Sequence, residues 1–218
     1  MAKKAIIVGA SGLIGNLLLD TLLQSVEYDS VLALVRKKLS VNNQKLIQLI
    51  IDFNHLEDYA GLITGNTFFC CLGSTKSKTP DLSEYRKIDH DYPLQLAHIA
   101  LKNGIGQYHL VSSIGANAAS SNFYSKMKGE TEADIKNVGL ASLHIYQPSL
   151  LTGNRKENRF AERFFIGLTK IIDPLLFGKL KKYRSIPAAT VAKAMYKQSV
   201  NNKDGVFIYT SDKIKELS

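Results

Sequence analysis

Seven short runs rich in Val, Ile and Leu alternate with longer segments of helical period, a pattern that predicts an α/β protein built on a doubly wound parallel sheet. Two further observations support that class. The first run leads directly into a turn carrying three glycines, as in a Rossmann-type first βα unit. The 218 residues contain no fixed-period repeat and no Gly/Ser linker, so one domain over 1–218 is expected.

The predicted strands, about seven, lie at 5–8, 31–35, 46–51, 67–71, 108–111, 142–146 and 206–209, the last closing the sheet edge. Leucines at helical spacing predict a helix over 13–23. A second helix, 82–102, follows a Thr-Pro-Asp turn, and a third covers 123–137. Pro187 introduces a late helix over 188–200 and is placed in its first turn, where a missing N–H costs little. Residues 153–186, with the segment RFAERFFIGLTKIIDPLLFGKLKKYR, have an apolar face and basic flanks. They are expected to form a small C-terminal substrate or lid region, with a subunit contact or an interfacial helix as the other readings.

A hydrophobic fraction of 45% with 22% charged residues excludes a disordered chain. The apolar run after the N-terminal lysines is too short for a secretory signal, and 164–177 is interrupted by Lys170, Asp173 and Pro174, so no membrane span is expected. Cys70 and Cys71 are adjacent and read as reduced thiols, which places the protein in the cytoplasm. The five histidines are scattered, so no metal site is expected. The formal charge of +9 is concentrated C-terminally: residues 155–218 carry 14 basic and 6 acidic side chains. Basic and aromatic residues do not interleave there, so a solvated surface is favoured and no specific nucleic-acid partner is expected.

The chemistry begins at Gly9-Ala10-Ser11-Gly12-Leu13-Ile14-Gly15, between the first strand and the first helix. Gly9 permits a tight turn, Gly12 close approach of backbone to a pyrophosphate, and Gly15 close packing of helix on strand. The helix N-terminus would turn its free N–H groups toward the phosphates. At the end of the second strand an NAD-binding chain would place a carboxylate for the ribose hydroxyls; here stand Arg36, Lys37 and Lys38. A guanidinium pairs with a 2′-phosphate, so NADPH is the expected cofactor, with solvated surface cations as the plain alternative. Asp52 and Phe53 follow the third strand and Cys71-Leu72-Gly73-Ser74 the fourth, at the edge where open α/β sheets bind ligands. Asp52 can accept from an adenine amino group; ordinary turns are the other reading.

Tyr124 and Lys128 are four apart on a predicted helix and share one face. An ammonium beside a phenol favours its ionisation and fits it for proton exchange with a carbonyl or alcohol oxygen, which Ser113, at the end of the fifth strand, can also hydrogen-bond. Such a pair alone is common; after a dinucleotide-type turn and a serine-ended strand it is a candidate catalytic set.

These residues together resemble the atypical branch of the short-chain dehydrogenase/reductase superfamily, over nearly the whole chain. FFCCLGST, HLVSSIGANAASSNFYSKMKGETEA and SIPAATVAKAM are similar to the Tat-interacting-protein family within it. The resemblance implies Gly9, Ser11, Gly12, Leu13, Ile14 and Gly15 around the pyrophosphate, Arg36 on the 2′-phosphate, and Leu72 and Gly73 along the ribose. It implies a Ser113–Tyr124–Lys128 triad with Lys128 also on the nicotinamide ribose, and Pro148 to Leu150 near the nicotinamide. Two positions depart from the pattern: Asp89 stands where many relatives carry Asn, and Gln147-Pro148 where an Arg-Pro pair is common. The expected function is NADPH-dependent oxidation or reduction of an alcohol or carbonyl. The alternatives are a regulatory protein that senses the cofactor without turnover and, more weakly, a nucleoside-diphosphate-sugar epimerase. A small-molecule substrate is implied, with a second copy or another protein as further partner.

Overall fold

The computed structural model describes residues 3–153, 173, 176–201 and 203–218. Its main sheet has seven parallel strands: β1 (Lys4–Val8), β2 (Ser30–Val35), β3 (Leu46–Ile50), β4 (Thr67–Cys70), β5 (Gln107–Val111), β6 (Ser142–Gln147) and β9 (Gly205–Thr210). They run in the order β3-β2-β1-β4-β5-β6-β9, so all seven predicted strands are present and the last closes one edge. A separate pair, β7 (Leu151–Thr152) with β8 (Ile186–Pro187), was not foreseen.

Both sheet faces are covered, which is why the strands read as continuous apolar runs. Successive side chains point to opposite faces. In β1, Ile6 and Val8 pack with the layer containing α3 (Tyr92–Lys102) and α4 (Phe123–Asn137). Ala5 and Ile7 pack with α1 (Leu13–Gln24), α5 (Ala188–Val200) and a short last helix, α6 (Ser211–Leu217). The two edge strands are covered least: Ile47 and Ile50 of β3 and Val206 and Ile208 of β9 are exposed.

The predicted helix 82–102 is three pieces: α2 (Leu82–Arg86), a wide π-type turn over Lys87–Asp91, and α3. Pro93 explains the break, because a proline cannot donate to the carbonyl four residues back and clashes with it. That carbonyl belongs to Asp89, and it accepts instead from the hydroxyl of Thr131 at 3.1 Å. Pro187 is corrected from first turn to N-cap of α5, since its ψ of 136° is extended and it pairs with Thr152 in the small sheet. Most of the expected lid, 153–186, lies outside the described residues. Its final part forms a 3₁₀ turn, Gly178–Tyr183, anchored where Arg184 Nε donates to the Leu176 carbonyl at 2.6 Å.

Candidate functional site

The strand order reverses between β1 and β4, the switch point at whose carboxyl ends open α/β sheets bind ligands. The three-glycine turn sits on one side of it. Gly9 has φ of +78°, and a Cβ there would run into the Cys71 carbonyl; a Cβ on Gly15 would run into the carbonyl of Gly9. Gly12 is the N-cap of α1 and donates to Gly9 O at 2.9 Å. No side chain caps α1 and its first turn holds no acid, so its first amides keep their donors for another group. Ser11 and Gly12 are exposed, Leu13 is half-buried, and Ile14 and Gly15 are buried.

Beyond β2 and β3 lies a cleft of about 350 Å³ lined by Arg36, Asp52, Phe53, Glu84, Ile88 and Tyr92, among others. Three sequence-predicted residues, Arg36, Asp52 and Phe53, therefore meet in one cavity. Asp52 is held by its own turn: its carboxylate accepts from Asn54 N at 2.9 Å, opening the 3₁₀ segment Phe53–Leu62 that the sequence did not announce. Tyr92 closes the far wall, its ring 5.4 Å from that of Phe53 and its hydroxyl donating to Asn54 Oδ1 at 2.9 Å.

The loop after β4 carries Leu72 and Gly73 toward α4. There the Asn122 side chain caps the helix by accepting from Ser125 N at 3.1 Å, and Tyr124 stands 37% exposed in its first turn. One turn on, Lys128 is buried, its Nζ 2.9 Å from Asp89 Oδ1. The other oxygen of Asp89 accepts from Ser74 N at 2.7 Å. Burial alone would pull the Lys128 ammonium down; the Asp89 carboxylate and the Tyr124 phenol more than offset this and hold it above its ordinary range. Tyr85, from α2, stacks on Tyr124 with centroids 6.4 Å apart, and burial followed by the Asp89 charge pushes its phenol up.

Ser113 follows β5, but its hydroxyl donates to the Ile114 carbonyl at 3.3 Å. Among the described residues no hydrogen bond joins it to Tyr124 or Lys128. The neighbouring Ser112 donates to Glu132 Oε1 at 2.5 Å, and Gln147 Nε2 donates to both oxygens of that buried carboxylate. Gln147 thus has a partner of its own at the position where an Arg is common. Pro148 is buried, its carbonyl accepting from Ile114 N at 3.0 Å, and Leu150 is exposed.

Sequence reasoning noted Asp89 only as a departure and missed Tyr85 and Glu132. Proline four residues after Asp89 was the available signal for the first. His109 and His144 are core residues, stacked at 4.4 Å within the sheet. Among the described residues no cluster of His, Cys, Asp and Glu is suited to a metal ion, and no helix is long and apolar enough to cross a membrane.

No family model matches the chain. The protein HTATIP2 of Rattus norvegicus is 32% identical over 211 residues, covering 93% of this chain and 84% of that protein. The mitochondrial protein fmp52 of Aspergillus clavatus is 30% identical over 230 residues, covering 100% of this chain and 95% of its own length. Among solved structures, the Bordetella bronchiseptica enzyme WbmH in complex with NAD+ superposes with a TM-score of 0.74 at 16% identity, over 99% of this chain and 79% of that one. A UDP-N-acetylglucosamine 4-epimerase from Methanobrevibacter ruminantium gives 0.70 at 17% identity, over 99% of this chain and 80% of its own. These two show the fold. With the likeness to HTATIP2 and fmp52 over nearly the whole of this chain, the chain belongs to the HTATIP2 family.

Proposed function

We propose that this protein is an NADPH-dependent oxidoreductase acting on a carbonyl or alcohol. The observation that carries the reading is that Tyr124, partly open to solvent, stands one turn before the buried Lys128 on α4, near enough for its phenol to help hold the ammonium. The residues present fit a dinucleotide. The uncapped start of α1 with its glycine N-cap suits a pyrophosphate held by Gly9, Ser11, Gly12, Leu13, Ile14 and Gly15. The cleft with Arg36, Asp52 and Phe53 suits an adenosine carrying a 2′-phosphate. Leu72 and Gly73 would line the ribose, and Pro148 and Leu150 the nicotinamide.

The bound cofactor supplies the hydride. Tyr124 holds the proton that goes to the carbonyl oxygen and recovers it from solvent afterward. Lys128 orients the phenol and the nicotinamide ribose. Ser113 would turn its hydroxyl from the Ile114 carbonyl to the substrate oxygen. The free thiols Cys70 and Cys71 fit a reducing compartment, and we assign the cytoplasm; the fungal relatives, named mitochondrial, point to the mitochondrion as the competing site.

One observation favours a second reading, a cofactor-sensing binding protein: Ser113 is engaged with its own loop rather than with Tyr124. A panel of aldehydes, ketones and quinones, followed by NADPH absorbance, separates the two. Turnover that falls about a hundredfold in Tyr124→Phe with NADPH affinity nearly unchanged supports the enzyme. No turnover, with cofactor changing affinity for a protein partner, supports the sensor. Epimerisation of a nucleotide sugar would show in the same assays as isomerised product without net NADPH consumption.

A further inference from the structure

None of the candidate site residues lies in the 3₁₀ turn Gly178–Tyr183. In it Leu180 N donates to Phe177 O and Arg184 N to Lys181 O, each at 3.1 Å. Side chains three apart eclipse in such a turn, so Phe177, Leu180 and Tyr183 stand in one row. All three are open to solvent, at 71%, 49% and 47% exposure. Lysines flank the row: Lys181 is exposed, and the Lys182 ammonium lies 5.2 Å from the centroid of the Tyr183 ring. The sequence from 176 to 184 carries four basic residues and no acidic one. Asp173, the nearest acid in the sequence, is engaged by Ser185, whose N–H and hydroxyl both donate to its carboxylate. The row is held to the body of the fold. Ser149 donates to the Arg184 carbonyl, Arg184 Nε donates to the Leu176 carbonyl at 2.6 Å, and Ile186 enters β8, which pairs with β7.

We propose that this turn is a membrane-docking ridge: Phe177, Leu180 and Tyr183 enter the interfacial layer of an anionic bilayer while Lys181 and Lys182 meet its acidic headgroups. Rings and aliphatic chains suit the boundary with the acyl groups, and ammonium groups suit the headgroups. Long lysine stems let both contacts form at once. The net charge of +9 draws the chain to such a surface. Two other occupants fit less well. The three side chains together expose on the order of 300 Å², against the roughly 800 Å² that each partner gives to a stable protein interface. A nucleic acid would pair with the lysines and leave the apolar row in water, whereas a bilayer engages both. Docking of this kind is peripheral and needs no spanning helix. It is independent of the oxidoreductase reading.

The test is flotation of the whole chain with vesicles of phosphatidylcholine alone and of equal parts phosphatidylcholine and phosphatidylserine, at low and high salt. The parent protein should float with the mixed vesicles, less so at high salt, and hardly with the neutral ones. Lys181→Gln/Lys182→Gln should weaken partition into the mixed vesicles by roughly fivefold for each lysine. Phe177→Ser/Leu180→Ser should weaken it about tenfold or more at either salt, since the apolar contact is not screened. Lys102→Gln/Lys126→Gln removes the same charge from exposed positions on α3 and α4 and should stay within about twofold of the parent. The chain has no tryptophan, so Leu180→Trp adds a single reporter whose emission should move to the blue with the mixed vesicles only. Equal losses from the two lysine pairs, or full binding in Phe177→Ser/Leu180→Ser, overturn the assignment, because either means attraction by overall charge alone. A parent protein that ignores the mixed vesicles, or an indole emission that does not move, overturns it too. Self-association of the parent that Phe177→Ser/Leu180→Ser disperses, without vesicle binding, gives the ridge to a second copy instead.

Discussion

The side-chain amide of Gln147 donates to both carboxylate oxygens of Glu132, at 2.9 and 3.0 Å, and so ties the end of β6 to α4. Ser112, at the end of β5, donates to the same carboxylate. Glu132 is buried, so each of these bonds replaces hydration the carboxylate has lost. Gln147→Leu leaves part of that carboxylate unsatisfied and is expected to lower unfolding free energy by about 1–3 kcal/mol in urea titration. Gln147→Arg, restoring the residue common at that position, should fold and lose less than Gln147→Leu, because a guanidinium can pair with the carboxylate bidentately. An arginine variant less stable than the leucine variant would show that the space around Glu132, not its charge, fixes residue 147.

The glycine turn divides into a position that must be glycine to fold and one that need only be small. A Cβ on Gly15 overlaps the backbone carbonyl of Gly9, whereas one on Gly12 stands 3.2 Å from the same atom. Gly15→Ala should therefore yield little folded protein. Gly12→Ala should fold with a modest loss of stability and bind NADPH more weakly, read by thermal unfolding and by fluorescence titration. Equal damage from the two would separate the turn's geometry from any role in binding.

Arg36 borders the cleft with Asp52 and Phe53 and is exposed. A charge-assisted contact to a 2′-phosphate contributes about 1.5–3 kcal/mol, so Arg36→Ala should weaken NADPH binding roughly ten- to a hundredfold. NADH, which lacks that phosphate, should be unaffected. Calorimetric titration of both cofactors checks the difference, and an unchanged preference would reassign the 2′-phosphate contact to Lys37 or Lys38.

The seven strands of the main sheet were legible because burial on both faces writes itself as unbroken apolar runs, and each was placed within a residue or two of its ends; the two-residue strands β7 and β8 are too short to leave such a run. The helix over 82–102 was legible as a helix but not as a broken one. Its apolar spacing runs through the wide turn, and Pro93 alone marks the place. The glycine turn and Arg36 announce themselves because their neighbours in sequence are their neighbours in space. Asp89 and Glu132 do not, since each gains its role from partners on other elements: Lys128 and Ser74 for one, Ser112 and Gln147 for the other. Glu132 reads in sequence as the polar face of α4, and only its docking on the ends of β5 and β6 buries it. The helix Ser211–Leu217 offers two apolar residues, Ile214 and Leu217, too few to show a period.

His109 and His144 give the sheet interior a dependence on pH whose sign follows from burial. The two rings stack at 4.4 Å between neighbouring strands, each with hydrogen-bond partners that a neutral imidazole satisfies: Gln107 and Tyr146 for His109, Ser142 and Tyr209 for His144. Burial pushes His144 down to about 4, with Lys203 adding to it, and holds His109 well below its ordinary value, with His144 adding to it. An unfolded chain protonates both near pH 6.5. As pH falls below that point the unfolded state therefore binds protons that the folded state refuses. The folded protein is fully favoured above about pH 6.5 and loses about 1.4 kcal/mol per pH unit for each histidine down to about pH 4, where His144 itself takes up a proton. Urea unfolding at pH steps between 7 and 5 should show this slope, and His144→Phe, which keeps a flat ring in the stack, should remove about half of it. A slope unchanged in that variant would mean that groups other than these histidines set the acid sensitivity of the fold.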